Sequence, residues 1–357
     1  MASQLWDRTP ASVAVFRALC LGDLLCAMPA LRALRLALPK ARITLIGLES
    51  ARPVVKRFSH YLDELVVFPG HPKFPEQPAR ESELSDFYDA MRLRRFDLAL
   101  QMHGNGLLSN SIVSALGARQ WAGFVPLIEQ EEPRRLMAWP DNQPEVVRYI
   151  SLLSHLGLQD QGVALEFPID EVDRKEADDV AEKANLELAR TIFIHPGAKL
   201  ESRRWPAERF AEVGRQLALQ GWQLAITGTT EEHSLASGLA TSIGKAAVDI
   251  SGQTTLGALA SLLQRGRLLI CNDTGVSHIA AAIGLRSVVI ACGSDVARWA
   301  PLDSALHTVL HADMSCRPCS YPVCPLGHPC ALRVTCNDVL EPIRAYLAQG
   351  AACEQNC

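Results

Sequence analysis

Cys271-Asn272-Asp273-Thr274-Gly275-Val276-Ser277-His278 decides how this chain is read, because Leu268-Leu269-Ile270 enters it as a buried strand would and Ile279-Ala280-Ala281-Ala282-Ile283 leaves it as a helix would. A strand, a polar turn and a helix start follow in direct succession. Such a helix start presents unpaired backbone N–H groups and the positive end of the helix dipole, which together suit a phosphate. The competing reading is an ordinary N-cap supplied by Asp273 or Thr274.

Two further segments have the same form. Thr191-Ile192-Phe193-Ile194-His195 is a β-branched apolar run that opens into Pro196-Gly197-Ala198-Lys199, then Ser202-Arg203-Arg204-Trp205, before Pro206 starts a helix. Lys199, Arg203 and Arg204 thus sit in a loop at a strand's carboxyl end, where their charge suits a diphosphate. Near the start, Ser12 to Phe16 reads as a strand, Arg17 to Asp23 as a loop, and Leu24 to Leu38 as an amphipathic helix with Pro29 early in it. Asp23 then lies on a turn preceded by Gly22 at a sheet's carboxyl edge, the place where open α/β sheets hold ligands. The other reading of Asp23 is the N-cap of that helix.

Arg17…Leu21-Gly22-Asp23…Pro29-Ala30-Leu31-Arg32, His195-Pro196-Gly197-Ala198 with Arg203-Arg204-Trp205-Pro206, and Asn272-Asp273-Thr274-Gly275-Val276-Ser277-His278 together resemble glycosyltransferase family 9, the bacterial heptosyltransferases that use ADP-heptose. The resemblance spans nearly the whole chain and implies an α/β protein of GT-B fold, with two Rossmann-like domains of parallel sheet facing a cleft. It implies an acceptor-binding domain over residues 1–170 and a nucleotide-sugar-binding domain with a Cys-rich tail over 171–336. Residues 337–357 would form a helix, centred on Val339 to Leu347, that packs back on the first domain. The implied reaction is an inverting, metal-independent transfer of heptose from ADP-heptose to a saccharide acceptor, the lipopolysaccharide inner core.

Composition permits this architecture. A chain of 357 residues with 48% hydrophobic content suffices for two domains. Thirty-five basic against 39 acidic residues, a formal net charge of -4, argue against a nucleic-acid partner for the chain as a whole. Met1 to Asp7 lacks a signal pattern, and no uncharged apolar run approaches the roughly 18 residues of a membrane span, so the expected location is cytoplasmic. Arg32, Arg35, Lys40, Arg42, Arg52, Lys56 and Arg57 form a basic run that would attract an anionic saccharide or a charged membrane surface, the latter setting the protein peripherally on the inner face of the inner membrane; the alternative is solvated helix faces. Expected strands are Val13–Phe16, Ile43–Gly47, Glu64–Phe68 and Leu98–Gln101, then Thr191–His195, Gln223–Thr227, Ala247–Asp249, Leu268–Cys271 and Ser287–Ala291. The proline-rich stretch from His71 to Pro78 reads as a flap.

Chemistry is assigned to positions through the resemblance. Asp23 matches the general base that takes the acceptor's proton. Arg203 stands where the family carries a lysine two residues before Trp-Pro, a departure that keeps the charge for the leaving diphosphate but offers a planar fork. Lys199 and Arg204 accompany it, and Thr274 with Gly275 completes the phosphate site. Asp273 resembles the residue that contacts the donor sugar. His278, one turn into its helix, either approaches a phosphate or is a structural helix-face residue. Glu231 or Glu232 would hold the ribose. His103, Asn105 and Asn110, after another strand, are candidate acceptor contacts or members of a Gly-rich capping turn. No cofactor is expected for catalysis. Cys316, Cys319, Cys324, Cys330 and Cys336, with His328 among them, read either as a structural zinc or iron site or as a reduced cluster that steadies a loop, whereas Cys20, Cys26, Cys271 and Cys292 read as core. The functional alternatives are a transferase for another nucleotide sugar, a GT-B sugar-nucleotide epimerase, and a non-catalytic nucleotide-sugar-binding protein. A dinucleotide dehydrogenase is disfavoured, since the loop from Arg17 to Asp23 lacks GxGxxG.

Overall fold

Strands form where the apolar runs stand, and they are apolar because both faces of a parallel sheet are covered. In the computed structural model, which describes residues 8–126 and 135–354, the chain divides into two compact units, Met1–Leu165 and Glu166–Cys357. The amino-terminal stretch from Met1 to Asp7, on which the signal-peptide reading rests, lies outside the described residues.

The first unit carries β1 (Ser12–Phe16), β2 (Arg42–Gly47), β3 (Glu64–Val67), β4 (Leu98–Gln101), β5 (Gln120–Val125) and β6 (Leu136–Ala138). They form one six-stranded sheet in the order β3-β2-β1-β4-β5-β6, with every pairing parallel. Phe16, at the end of β1, pairs with Ile46 on one side and Gln101 on the other. Ala14, Phe16, Ile46, Phe68, Phe87 and Phe96 are buried together against the helix Ser109–Ala115 through Ile112 and Val113.

The second unit repeats the pattern with β7 (Thr191–His195), β8 (Gln223–Ile226), β9 (Ala247–Asp249), β10 (Leu268–Asn272), β11 (Ser287–Ile290) and β12 (His307–Leu310), in the order β12-β11-β10-β7-β8-β9. Read from its own first strand, this is the same doubly wound order as the first unit. Each sheet therefore reverses direction between its first and fourth strands, β1 and β4 in one unit and β7 and β10 in the other. At such a switch point the connections leave in opposite directions and open a crevice at the strands' carboxyl ends.

The helix Cys336–Glu354 buries Val339, Leu340 and Ile343 in the same core as Ile192, Phe210, Ile270 and Val288. The expectation set residues 337–357 apart as a segment of their own; the structure gives these three apolar side chains to the second unit's core. The division falls after Leu165, five residues before the expected boundary at 170. The proline-rich stretch from His71 to Pro78 is anchored rather than loose, with Phe74 buried and the Gln77 side chain donating to the Phe68 carbonyl at 2.7 Å.

Candidate functional site

In the first unit, the chain leaves β1 through Arg17 to Cys20 and enters the helix Leu21–Ala37. Cys20 is the N-cap, with Leu24 N–H bonded to its carbonyl at 3.0 Å, so Asp23 sits inside the first helical turn rather than on a preceding loop, and it is not the cap. The expected helix start at Leu24 is thus three residues late. Gly22 and Asp23 read as a turn, yet a helix tolerates both in its first turn, where N–H groups are unpaired anyway and an acidic side chain meets the positive dipole end.

Beneath Asp23 lies a charge that the sequence reading left unassigned. Arg17 is 1% exposed, and its guanidinium donates to the Asp23 carbonyl from Nε (2.9 Å) and Nη2 (2.5 Å) and to the Met102 carbonyl from Nη1 (2.6 Å). It lies 4.3 Å from the centre of the Tyr149 ring and 3.4 Å from Glu145 Oε1. Glu145, fully buried, also accepts from Arg148 (3.0 Å) and the Tyr149 hydroxyl (2.7 Å). Burial opposes the charge on Arg17, but the attraction of Tyr149, Glu145 and Asp23 outweighs it and holds the guanidinium above its ordinary pKa. The turn that bears Asp23 is therefore tied to the carboxyl end of β4 by one rigid donor. A lone Arg between Phe16 and Ala18-Leu19-Cys20-Leu21 was the available signal.

The expected acceptor residues separate. His103 is buried, its ring stacked on Phe74 (centroids 4.4 Å) and Phe16 (5.3 Å), with Nδ1 accepting from Ala18 N–H at 3.2 Å. It serves the aromatic core of the first unit. Asn105 Oδ1 accepts from Leu107 N–H (3.1 Å), a local turn, as its structural reading had it. Asn110 donates to the Phe124 carbonyl (2.9 Å) while its Oδ1 is buried without a hydrogen-bond partner. Gln101, not singled out from sequence, organises this loop: its amide donates to the carbonyls of His103 and Gly104 and to Ser109 Oγ, and accepts from Phe124 N–H.

The basic run is largely engaged within the first unit. Arg32 donates to carbonyls at Gln161 to Ala164, Arg35 pairs with Asp63 (2.6 Å), Arg42 with Glu64 and Arg52 with Glu49. Lys40 and Lys56 are exposed.

In the second unit, β10 ends at Asn272 and the helix Gly275–Ile283 begins one turn later. Thr274 is its N-cap in extended conformation, and no side chain caps the first turn. The Thr274 side chain thus makes no capping bond; Ser277 N–H turns back to the Thr274 carbonyl (3.0 Å), and the Gly275 end of the helix is the kind of start that suits an anion. Asp273 and Thr274 are half-buried beside it. His278, one turn on, is 5% exposed, with Trp299 edge-on to its ring at 6.4 Å.

Asn272 joins this turn to the basic loop. It is fully buried, its Oδ1 accepts from Trp205 N–H (2.8 Å), and its Nδ2 donates to the Pro196 carbonyl (2.7 Å). Because β7 and β10 are neighbours, with His195 opposite Cys271, this one side chain pins both ends of the loop after β7 to the strand carrying Asp273. Within the loop the cations divide their work. Arg204 donates from Nε to the Ala198 carbonyl (2.9 Å) and closes the loop, Lys199 is exposed, and Arg203 is half-buried with its Nε enclosed and lacking a hydrogen-bond partner. Arg203 is the cation with buried donor capacity to spare.

Glu231 and Glu232 are distinguished by their surroundings. Glu231 is exposed; a bond from its own backbone N–H and one from the Thr229 hydroxyl hold its carboxyl below the usual range. Glu232 accepts from Thr229 N–H (2.9 Å) and reaches toward His195 Nε2 (4.0 Å). A Cβ at Gly197 would lie 2.0 Å from Glu232 Oε1, so glycine is required there to admit the carboxylate against the loop. His195 Nδ1 shares a hydrogen bond with the Thr227 hydroxyl (3.0 Å), and burial lowers its pKa against the pull of Glu232.

The expected zinc or iron ligands do not gather: among the described residues no three His, Cys, Asp or Glu side chains are placed to hold a metal ion. Cys330 is buried in the core of the second unit, whereas Cys316, Cys319, Cys324 and Cys336 are half-buried along the segment. Cys26, Cys271 and Cys292 are core residues as expected, and Cys20 is a half-buried N-cap. Among the described residues no helix is long and apolar enough to cross a membrane.

Comparison with known proteins bears on this arrangement. The family model described as glycosyltransferase family 9 (heptosyltransferase) matches residues 85–329. The chain is 25% identical over 361 residues to lipopolysaccharide heptosyltransferase 2 of Escherichia coli (strain K12), covering 93% of this chain and 97% of that protein. Among solved structures, a family 9 glycosyltransferase from Veillonella parvula DSM 2008 superposes with a TM-score of 0.76 at 21% identity, over 95% of this chain and 97% of that one. The E. coli ADP-heptose lipopolysaccharide heptosyltransferase II superposes with a TM-score of 0.71 at 21% identity, over 95% and 99%.

Proposed function

The chain belongs to glycosyltransferase family 9, and from that premise we propose that it moves a heptose from ADP-heptose to a saccharide acceptor of the lipopolysaccharide inner core, with inversion at the anomeric carbon. The observation that carries this reading is the donor cradle of the second unit: an uncapped helix start after β10, clipped by Asn272 to a loop whose Arg203 has a buried, unpartnered Nε. In the proposed reaction the diphosphate lies on the Gly275 end of that helix with Thr274, and Arg203 and Lys199 neutralise the charge that grows as the C–O bond to ADP breaks. Glu232, seated over Gly197, is better placed than Glu231 to meet the ribose, and Asp273 faces the sugar. The acceptor hydroxyl attacks from the face opposite ADP and passes its proton to Asp23.

The acceptor reading is coarser. His103 is engaged in an aromatic stack and Asn105 in a local turn, so Asn110, with its unpartnered Oδ1, is the favoured acceptor contact from that loop. Since most of the basic arginines are paired internally, attraction to the inner face of the inner membrane would rest on Lys40 and Lys56 and on the anionic acceptor itself.

The decisive experiment incubates the protein with ADP-heptose, UDP- and GDP-sugars and a heptose-deficient core saccharide, and follows the product's anomeric configuration by NMR. Transfer from ADP-heptose alone, with inversion, is expected. Conversion of the donor without acceptor would instead identify an epimerase, and nucleotide binding without turnover a binding protein.

A further inference from the structure

The cysteine-rich segment has no part in the reaction just described, yet it touches the donor loop at one well-defined place. Ser202, immediately before Arg203, is 1% exposed and directs all its polar groups at that segment. Its N–H donates to the Pro322 carbonyl (3.1 Å), its hydroxyl to the Tyr321 carbonyl, and its carbonyl accepts from His328 Nε2 (2.8 Å). Since a carbonyl can only accept, the His328 ring carries its proton on Nε2 there. The rest of the basic loop is held by Asn272 at its two ends and by Arg204 on Ala198. The short turn Glu201–Arg203 closes on itself through Arg203 N–H to the Leu200 carbonyl (3.0 Å) and Arg204 N–H to the Glu201 carbonyl (2.9 Å), and among the described residues Ser202 ties it to the Cys-rich segment.

That segment is itself fastened independently. Cys319 N–H donates to the Gly293 carbonyl (2.9 Å), and Arg317 donates to the carbonyls of Ala312 (2.6 Å) and Ser294 (3.0 Å), so one end is attached to the chain just after β11. At the other end Cys330 is buried in the core. His328 stands between them as N-cap of the helix Pro329–Arg333, in the left-handed conformation (φ 60°) that non-glycine residues seldom adopt. A backbone held there persists only when its surroundings over-determine it.

We infer that the Cys-rich segment is the brace that sets the position of Arg203 for the donor diphosphate, with His328 and Ser202 as the positioning residues. The inference rests on the reading of Arg203 as a phosphate ligand. Neither residue touches the donor; each acts by fixing the turn from which Arg203 extends. This gives the segment a function without a metal ion and explains why its middle, poor in core-forming residues, is nonetheless pinned at both ends.

The test is a double-mutant cycle read by ADP binding in calorimetry, with melting temperature recorded for every variant. His328→Ala should weaken ADP about ten-fold, the scale of one lost hydrogen bond and the disorder it permits. His328→Gln, which keeps an N–H donor at similar reach, should recover most of that loss, whereas His328→Asn, which suits the backbone but is shorter, should not. In an Arg203→Ala background the His328→Ala effect should vanish. An equal effect in both backgrounds would overturn the inference, as would unchanged ADP affinity in His328→Ala while Arg203→Ala binds weakly; the second result leaves the donor-site reading intact. If Arg203→Ala itself binds ADP normally, that reading fails and the inference with it. Should His328→Ala not fold, Ser202→Ala, which removes only the bond to Tyr321, replaces it in the same cycle.

Discussion

A single carboxylate carries the proposed chemistry of the first unit, and its support is unusual in being a buried cation. Asp23→Ala should lower turnover by about two to four orders of magnitude, the range for loss of a general base, with ADP affinity near that of the parent; turnover within three-fold of the parent would remove Asp23 from the mechanism. Arg17→Met tests the support. It strips donors from the carbonyls of Asp23 and Met102 and leaves Glu145 buried with less compensation, so urea denaturation should register a loss of about 3–5 kcal/mol. Combining it with Glu145→Gln should return part of that loss, because the carboxylate no longer needs a counter-charge. A cost under about 1 kcal/mol for Arg17→Met would mean that the guanidinium is dispensable to the turn. Residues of this kind were half-legible in the sequence. Asp23 and Arg203 stood out by motif, but the roles of Arg17, Asn272 and Ser202 depend on partners 128, 76 and 126 positions away, which no local pattern reveals.

Strand limits were read closely wherever a strand was anticipated, at the rim (β3, β9) as in the middle of each sheet. β4, β7 and β9 match their expected limits, and β1, β2, β3, β8, β10 and β11 differ by a residue at an end. Gln120–Val125, Leu136–Ala138 and His307–Leu310 were not anticipated, since strands toward a sheet's edge are partly exposed and lose the continuous apolar run. The last of these offers a pH test. His307 opens β12, is 3% exposed and shares a hydrogen bond with Ser287 Oγ on β11 (2.8 Å). Burial lowers its pKa from 6.5 to about 4, with Asp303 pulling the other way and His278 adding to the fall. The unfolded chain therefore takes up this proton near pH 6.5 while the folded one resists until about pH 4. The contribution is whole above pH 6.5 and is lost as the pH falls toward 4, at most about 3 kcal/mol. Melting temperatures between pH 7 and pH 4.5 should fall less steeply for His307→Asn than for the parent; parallel curves would show that this histidine does not titrate on unfolding.

At the scale of the molecule, the two units have separate cores, and the candidate donor ligands belong to the second alone. ADP at about 100 times its dissociation constant should stabilise that unit by about 2.7 kcal/mol. In scanning calorimetry only one transition should move upward, and Arg203→Ala should reduce the shift. Equal movement of two resolved transitions would mean that the nucleotide engages both units. The strand–helix alternation, the parallel sheets and the polar loops at the strands' carboxyl ends were determined by sequence alone, because hydrophobic period and turn chemistry are local properties that a chain cannot hide. The tertiary structure decided the rest. It gave Val339, Leu340 and Ile343 to the second unit's core, took His103 into an aromatic stack, brought no metal-ligand set together among the described residues, and turned Ser202 toward His328. Each of these depends on which distant surface a side chain meets, and that is settled by packing and hydrogen-bond satisfaction across the fold rather than by neighbours in the chain.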